Sequence, residues 1–236
     1  MTVTPEWPYR SLLGRLRETT RQELLELGAP IRFAAGREVL RQGAHDSHAL
    51  LLLRGVVKVQ VVDEAGETAL LGLKAAGDLV GEMAALDGKP RSATVISCGE
   101  VEARFINRHE LSAFLSRHTD VLVELVNIGQ ARLRWANERR REMPSPAATR
   151  VARVLAELVR EHGRQERNGW VLGFPLTKVE LASIAGMKPR TAEKSFRDLR
   201  KAGLVVTGVR RDVLVPDLER LREFDAAAFE LALGRT

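Results

Sequence analysis

The sequence predicts an α+β chain: an N-terminal antiparallel β-roll of jelly-roll type, a long helix, and a C-terminal winged helix-turn-helix. Three observations predict it. Between Ile31 and Phe105, short β-rich runs alternate with glycines. From about Arg108 to Glu142, apolar residues recur at intervals of three and four, the period of a helix. Beyond Pro144-Ser145-Pro146, Ala182, Gly186 and Ala192 stand at the spacing of two helices that cross closely around a tight turn. The expected boundaries are 1–106 for the roll with its leading helices, 107–143 for the long helix, and 144–236 for the C-terminal domain.

Composition fits this architecture and excludes others. A chain of 236 residues has room for two cores, and 44% hydrophobic with 29% charged residues describes a soluble protein. The longest apolar run, Ala49 to Leu53, is strand-sized and far short of a membrane span. Met1 to Glu6 lack the basic-then-apolar order of a secretion signal, so a cytoplasmic location is expected, with no membrane partner. One cysteine, Cys98, excludes an intrachain disulfide and is read as a half-buried thiol near a turn. The five histidines show no metal-ligand spacing beyond His45-x-x-His48, which reads as a loop, so no metal is expected. The net charge of +6 is uneven. From Pro144 onward there are 17 Lys and Arg against 12 Asp and Glu, a balance of +5 that leaves +1 for the rest. A basic C-terminal part points to a polyanion partner.

Taken in order, residues 9–28 carry Leu12, Leu13, Leu16, Leu24, Leu25 and Leu27 at helical intervals and stop at Gly28-Ala29-Pro30. The candidate strands of the roll are 31–33, 38–40, 49–53, 56–62, 68–73, 93–96 and 101–106. Val57-Lys58-Val59-Gln60-Val61 alternates cleanly, and Asp63-Glu64-Ala65-Gly66 is the hairpin turn that follows.

Between the later strands lies Gly81-Glu82-Met83-Ala84-Ala85-Leu86-Asp87-Gly88-Lys89-Pro90-Arg91-Ser92-Ala93. Gly81, without a Cβ, lets a ligand come close to the backbone. Glu82 to Leu86 can form a short helix whose first N–H groups lack helical partners. Arg91 offers a planar fork of donors suited to a phosphate, and Ser92 with the following amides completes a cradle. Glu82 would repel a phosphate and so needs a neutral group such as a ribose hydroxyl, which favours a sugar phosphate over a bare anion. The same residues would also serve as a surface loop closed by an Arg91–Glu82 ion pair.

The helical pattern from Arg108 to Glu142 amounts to roughly 50 Å at 1.5 Å per residue. Leu122, Leu125, Gly129, Arg132 and Ala136 mark a seam, flanked by Val126 and Leu133. That is more than the roll covers, so the seam is expected to pair with a second copy, a homodimer. Arg132, a charge in the seam, needs an anion nearby. Pro144-Ser145-Pro146 ends the helix.

Ala147 to His162 reads as an amphipathic helix, 163–168 as a polar loop, and Trp170-Val171-Leu172 as a strand. Thr177 caps the next helix, with Glu180 placed to reach back to its amide. Gly186 makes the turn, and Lys188 to Lys201 gives a second helix whose outward residues are Lys188, Arg190, Thr191, Lys194, Arg197 and Lys201. Leu204 to Val215 reads as strand, basic turn (Arg210-Arg211-Asp212) and strand, which makes a wing. A cationic helix face beside a basic wing suits phosphates and guanine edges in a major groove, so double-stranded DNA is the expected partner. Asp217 to Leu233 is read as one packing or tail helix.

The Gly-Glu, short helix, Pro-Arg-Ser-Ala-Thr-Val pattern resembles the phosphate-binding cassette of the cyclic-AMP receptor protein (Crp-Fnr) family, and the helix-turn-helix in the right order is a second, independent signature. The resemblance implies an allosteric bacterial transcription regulator that binds a cyclic nucleotide, cAMP or cGMP, and no other cofactor, with RNA polymerase as a further partner. Carried onto this chain, the effector residues are Gly81, Glu82, Met83, Arg91, Ser92, Ala93, Arg132 and Asn137, and the DNA residues are Lys188, Arg190, Thr191, Lys194, Arg197 and Arg210. Two departures stand out. Ala136-Asn137 replaces the family's base-contacting Thr-Ser pair, which implies altered affinity or base preference. Pro189, Arg190 and Lys194 replace the family's arginine, glutamate and arginine, so its best-known operator does not transfer. Alternatives are a regulator of the same fold that acts without ligand or senses another molecule, and a cyclic-nucleotide-regulated enzyme. The enzyme is disfavoured because no nucleophile–base arrangement is apparent.

Overall fold

The computed structural model describes residues 7–64, 66–174, 176–207 and 213–233. The chain divides into two compact units, Met1–Arg134 and Trp135–Thr236.

In the first unit, α1 (Leu12–Arg15) and α2 (Glu18–Glu26) precede eight strands, β1 (Ala29–Phe33), β2 (Glu38–Leu40), β3 (Ala49–Arg54), β4 (Val56–Val62), β5 (Thr68–Ala75), β6 (Leu79–Val80), β7 (Thr94–Ser97) and β8 (Val101–Ile106). They form two antiparallel four-stranded sheets, ordered β1-β8-β3-β6 and β2-β7-β4-β5. The sequence of β3 is apolar without alternation because both its faces are covered. Leu50 and Leu52 face Val57, Val95 and Val101 between the sheets, while Ala49 and Leu51 face Leu12, Leu24 and Phe114 of the flanking helices. The hairpin β4–β5 pairs Val62 with Thr68, and Ala65 of the expected turn lies outside the described residues. Strand β6, two residues long, is too short to show a period and has no counterpart among the sequence-predicted strands. Cys98 is buried, 8% exposed, rather than half-buried.

The short helix α3 (Glu82–Asp87) sits between β6 and β7. After the roll the helix is not continuous from Arg108, as its periodicity suggests. It is two helices, α4 (Arg108–Arg117) and α5 (Thr119–Arg141). His118 breaks the run at φ −122°, ψ 74°, with its ring stacked on Phe114 at 4.4 Å and its Nε2 2.9 Å from Glu23. Past the break, Asp120 accepts from Thr20 and Arg17 at 3.2 and 3.3 Å, which hooks the first turn of α5 onto α2. An acidic side chain at that turn also meets the positive end of the helix dipole. Twenty-three residues make α5 about 35 Å long.

Along α5 the outward apolar row departs from the expected seam at two positions, with Val126 in place of Leu125 and Leu133 in place of Arg132. Leu125 and Ile128 pack against the core of their own unit. The outward apolar residues are Leu122, Val123, Val126 and Leu133. Leu122, Val126, Gly129, Leu133 and Ala136 follow one another at spacings of four, three, four and three, the row of a coiled-coil seam.

The second unit is built on α6 (Ala147–His162), whose Val151, Val154, Leu155 and Leu158 are buried as the pattern predicts. Helices α7 (Lys178–Ile184) and α8 (Pro189–Lys201) pack with α6. A sheet of order β11-β12-β10-β9 completes the unit, from β9 (Gly163–Glu166), β10 (Gly169–Leu172), β11 (Val206–Thr207) and β12 (Val213–Val215). Residues 163–166 are therefore a strand, not part of a loop. They are an exposed polar strand paired on one side to β10, and so they lack the alternation a half-buried strand would show. The C-terminal helix is likewise two, α9 (Leu218–Arg222) and α10 (Ala226–Leu233), and the buried bond from Ala226 N–H to Thr149 Oγ1 fixes the second start. No helix among the described residues is long and apolar enough to cross a membrane.

Candidate functional site

Gly81 adopts φ +80° at the N-cap of α3, a conformation that favours glycine. A Cβ there would lie 2.5 Å from Arg91 Nη1 and 3.0 Å from the His48 carbonyl. The glycine is therefore required by the arginine beneath it, a reason the sequence did not show. Arg91 closes the segment that Gly81 opens, because its Nη1 donates to the Gly81 carbonyl at 2.8 Å. Its side chain is only 2% exposed.

The remaining donors of Arg91 are also engaged. Nη2 donates to Asp46 Oδ2 at 2.8 Å and to the His48 carbonyl at 2.6 Å, and Nε donates to the same Asp46 oxygen at 3.3 Å. The carboxylate partner of Arg91 is Asp46, not Glu82, which overturns the alternative of a loop closed by an Arg91–Glu82 pair. Backbone bonds hold the Asp46 loop in place: Gly43 N–H donates to the Arg91 carbonyl and Arg91 N–H to the Ala44 carbonyl, at 2.9 and 2.8 Å. The hydrogen bonds from Arg91 hold the Asp46 carboxyl below its ordinary pKa. His48, stacked on Phe105 at 4.4 Å, lies 3.1 Å from Asp46 through Nδ1. Burial, joined by the charge of Arg91, pushes its imidazole pKa down against the pull of Asp46.

The other cassette residues are near one another. Glu82 is half-buried at the start of α3, and Met83 and Ser92 are exposed with Ser92 Oγ 3.8 Å from Met83 Sδ. Ala93 is buried. Behind them stands a group that sequence reasoning missed. Lys74 of β5 is 5% exposed, with Nζ 3.6 Å from Asp78. Burial lowers its pKa, Asp78 and Glu82 raise it, and the charge of Arg132 lowers it further. Lys74 thus feels both Glu82 and Arg132, two of the residues assigned to the effector. Arg132 is exposed on α5 in the first unit, whereas Asn137, also exposed, belongs to the second. A lysine within a strand of leucines was the available signal for Lys74; nothing in the sequence paired Asp46 with Arg91. Among the described residues no cluster of three or more His, Cys, Asp or Glu could hold a metal.

In the second unit the helix-turn-helix is built from local rules. Thr177 Oγ1 accepts from Glu180 N–H at 3.1 Å and Glu180 Oε2 accepts from Thr177 N–H at 2.7 Å, a reciprocal cap that starts α7. Gly186 turns the chain at φ +66°. Pro189 then opens α8 at a position where its missing N–H costs nothing. Ala182 and Ala192 are 0% and 1% exposed where the helices cross, and Phe196 and Leu199 anchor α8 in the core. Lys188, Arg190, Thr191, Lys194, Arg197 and Lys201 are all exposed, and four of them, Arg190, Lys194, Arg197 and Lys201, form one stripe at spacings of four, three and four. The wing strands β11 and β12 pair, while Arg210 and the turn around it lie outside the described residues.

Family models match a stretch in each half of the chain. Residues 30–118 match the model of the cyclic nucleotide-binding domain, and residues 149–224 match the Crp-like helix-turn-helix domain. The chain is 26% identical over 194 residues to the CRP-like cAMP-activated global transcriptional regulator of Mycobacterium tuberculosis, covering 81% of this chain and 86% of that protein. It is 27% identical over 177 residues to the cyclic AMP receptor protein of Thermus thermophilus, covering 75% and 79%. Its fold is similar to that of the c-di-GMP-responsive global regulator CLP of Xanthomonas campestris, with a TM-score of 0.73 over 85% of this chain and all of that one at 19% identity. A cyclic nucleotide-binding domain followed by a Crp-like helix-turn-helix, in that order on one chain, places this protein in the Crp-Fnr family of transcription regulators.

Proposed function

We propose that the chain is a homodimeric, cAMP-responsive DNA-binding regulator. The observation that carries the reading is the closed cassette: Arg91, joined to the Gly81 carbonyl at 2.8 Å, puts a guanidinium directly under the turn that presents Glu82. A cation beside a carboxylate suits a cyclic phosphate with a neighbouring ribose hydroxyl, because the fork takes the phosphate oxygens and Glu82 accepts from the hydroxyl. Gly81, Met83, Ser92 and Ala93 complete the cradle, and Arg132 and Asn137 are assigned to the base side. Asn137 can donate and accept at a purine edge, but Ala136 supplies no hydroxyl, so the affinity and base preference differ from those of a Thr-Ser site. The cyclic AMP named for the two relatives supports cAMP over cGMP.

The DNA side is assigned to the α8 stripe. Arg190 and Lys194 read base edges, Lys188, Arg197 and Arg210 bind phosphates, and Thr191 touches the backbone. The apolar row of α5 pairs two copies, which sets two half-sites about one helical turn apart. RNA polymerase is the partner through which such a regulator acts. The domain organisation proposed is 1–106 for effector binding, 107–143 for dimerisation and 144–236 for DNA, in the cytoplasm. Titration calorimetry with cAMP and with cGMP tests the effector. Saturable cAMP binding tighter than cGMP is expected, and heat with neither nucleotide would leave the chain without this effector.

A further inference from the structure

Four of the five N–H hydrogens of Arg91 are committed inside the protein: one to Gly81, one to His48 and two to a single oxygen of Asp46. The guanidinium is 2% exposed, whereas the Asp46 side chain is 40% exposed. The carboxylate is therefore the solvent-facing partner of an otherwise buried cation. A phosphate can take two parallel bonds from Arg91 only if that carboxylate lets go. We infer that Asp46 is an intramolecular competitor for the phosphate anchor, a carboxylate that stands where a ligand's anionic oxygens bind and sets how strong an anion must be to displace it. This rests on the proposal that Arg91 anchors a cyclic phosphate.

The surroundings fit a displaceable group better than a fixed strut. Asp46 meets Arg91 through Oδ2 alone, the same oxygen that lies 3.1 Å from His48 Nδ1. The bonds that hold its loop beside Arg91 are backbone bonds of Gly43, Ala44 and Arg91, so the side chain can swing out without unzipping them. The Gly81 and His48 carbonyls would keep Arg91 in position meanwhile. Asp46 is thus a specificity-setting residue. It lets the buried cation exist without a ligand's charge, and it raises the threshold for weakly binding anions.

The test is Asp46→Asn, which keeps the shape and a neutral acceptor for Arg91 but removes the competing charge. Calorimetric titration with cAMP is expected to show binding at least about tenfold tighter than wild type, since a charge-assisted contact is exchanged for a neutral one. The affinity should also become more dependent on salt, because the anchor then carries an uncompensated charge. Asp46→Glu should restore affinity toward wild type, and in an Arg91→Lys background Asp46→Asn should give a much smaller gain. If the wild type binds cAMP and Asp46→Asn binds equally or more weakly, the competitor role is wrong while the effector site stands. If neither protein binds cAMP or cGMP, the effector reading itself falls and this inference with it.

Discussion

At Arg91 one side chain ties the fold together and is the proposed anchor of the ligand. It is buried, it ties Gly81 to the loop of His48, and it was singled out by sequence because an arginine next to a glycine-led short helix suits an anion. Arg91→Ala is expected to weaken cAMP binding by about 2 kcal/mol or more, and to destabilise the first unit by about 1–3 kcal/mol through the acceptors it leaves unpaired. Calorimetry and denaturant titration read the two effects separately. Asp46 and Lys74 were not legible in the same way. Asp46 lies 45 positions before Arg91 and meets it only through the packing of the roll. Lys74 stands in an apolar run that gives no hint of what surrounds its ammonium. Lys74 carries a prediction of its own. Burial lowers its folded pKa below the ordinary 10.5, so the unfolded chain holds the extra proton between the folded value and about 10.5. Stability should rise with pH across that window, with the full cost of the buried charge present below it. Denaturant titrations at neutral and alkaline pH should show wild type gaining on Lys74→Met as pH rises; a difference independent of pH would show that the ammonium is not penalised.

The elements were easiest to place where a period or a cap announces them. The Thr177–Glu180 cap, the Gly186 turn and the buried face of α8 follow from spacing alone, and Thr177→Ala should cost about 1 kcal/mol in denaturant unfolding of the intact chain. What periodicity could not give were interruptions. His118 lies within an unbroken helical pattern, and only its partners Phe114 and Glu23 show why the helix stops there. The outward face of α5 was equally ambiguous, since Leu125 and Val126 both satisfy a helical interval while only Leu125 meets its own core. Val126→Glu is therefore expected to give a stable, folded monomer in light scattering, because it would set like charges opposite each other in the proposed pairing row. Leu125→Glu should lower the stability of the first unit instead. A dimer that survives Val126→Glu would place the pairing surface elsewhere.

For the molecule as a whole, the basic balance from Pro144 onward has a local address in the exposed α8 stripe. Arg190 has the fork to grip guanine O6 and N7, so Arg190→Ala should cost about 1–3 kcal/mol on the preferred duplex and little on random DNA. Lys188→Ala should weaken both alike and flatten the salt dependence. Selection from random duplexes followed by binding assays would separate the two. The regulatory claim is that nucleotide in the cassette controls that DNA contact, which requires different affinities for two arrangements of the recognition helices. Fluorescence anisotropy on the selected duplex, with and without saturating cAMP, tests this most directly. Tightening of the wild type by cAMP, absent in Arg91→Ala, is the expected result. Equal DNA affinity with and without cAMP, in a wild type that calorimetry shows to be saturated, would contradict it.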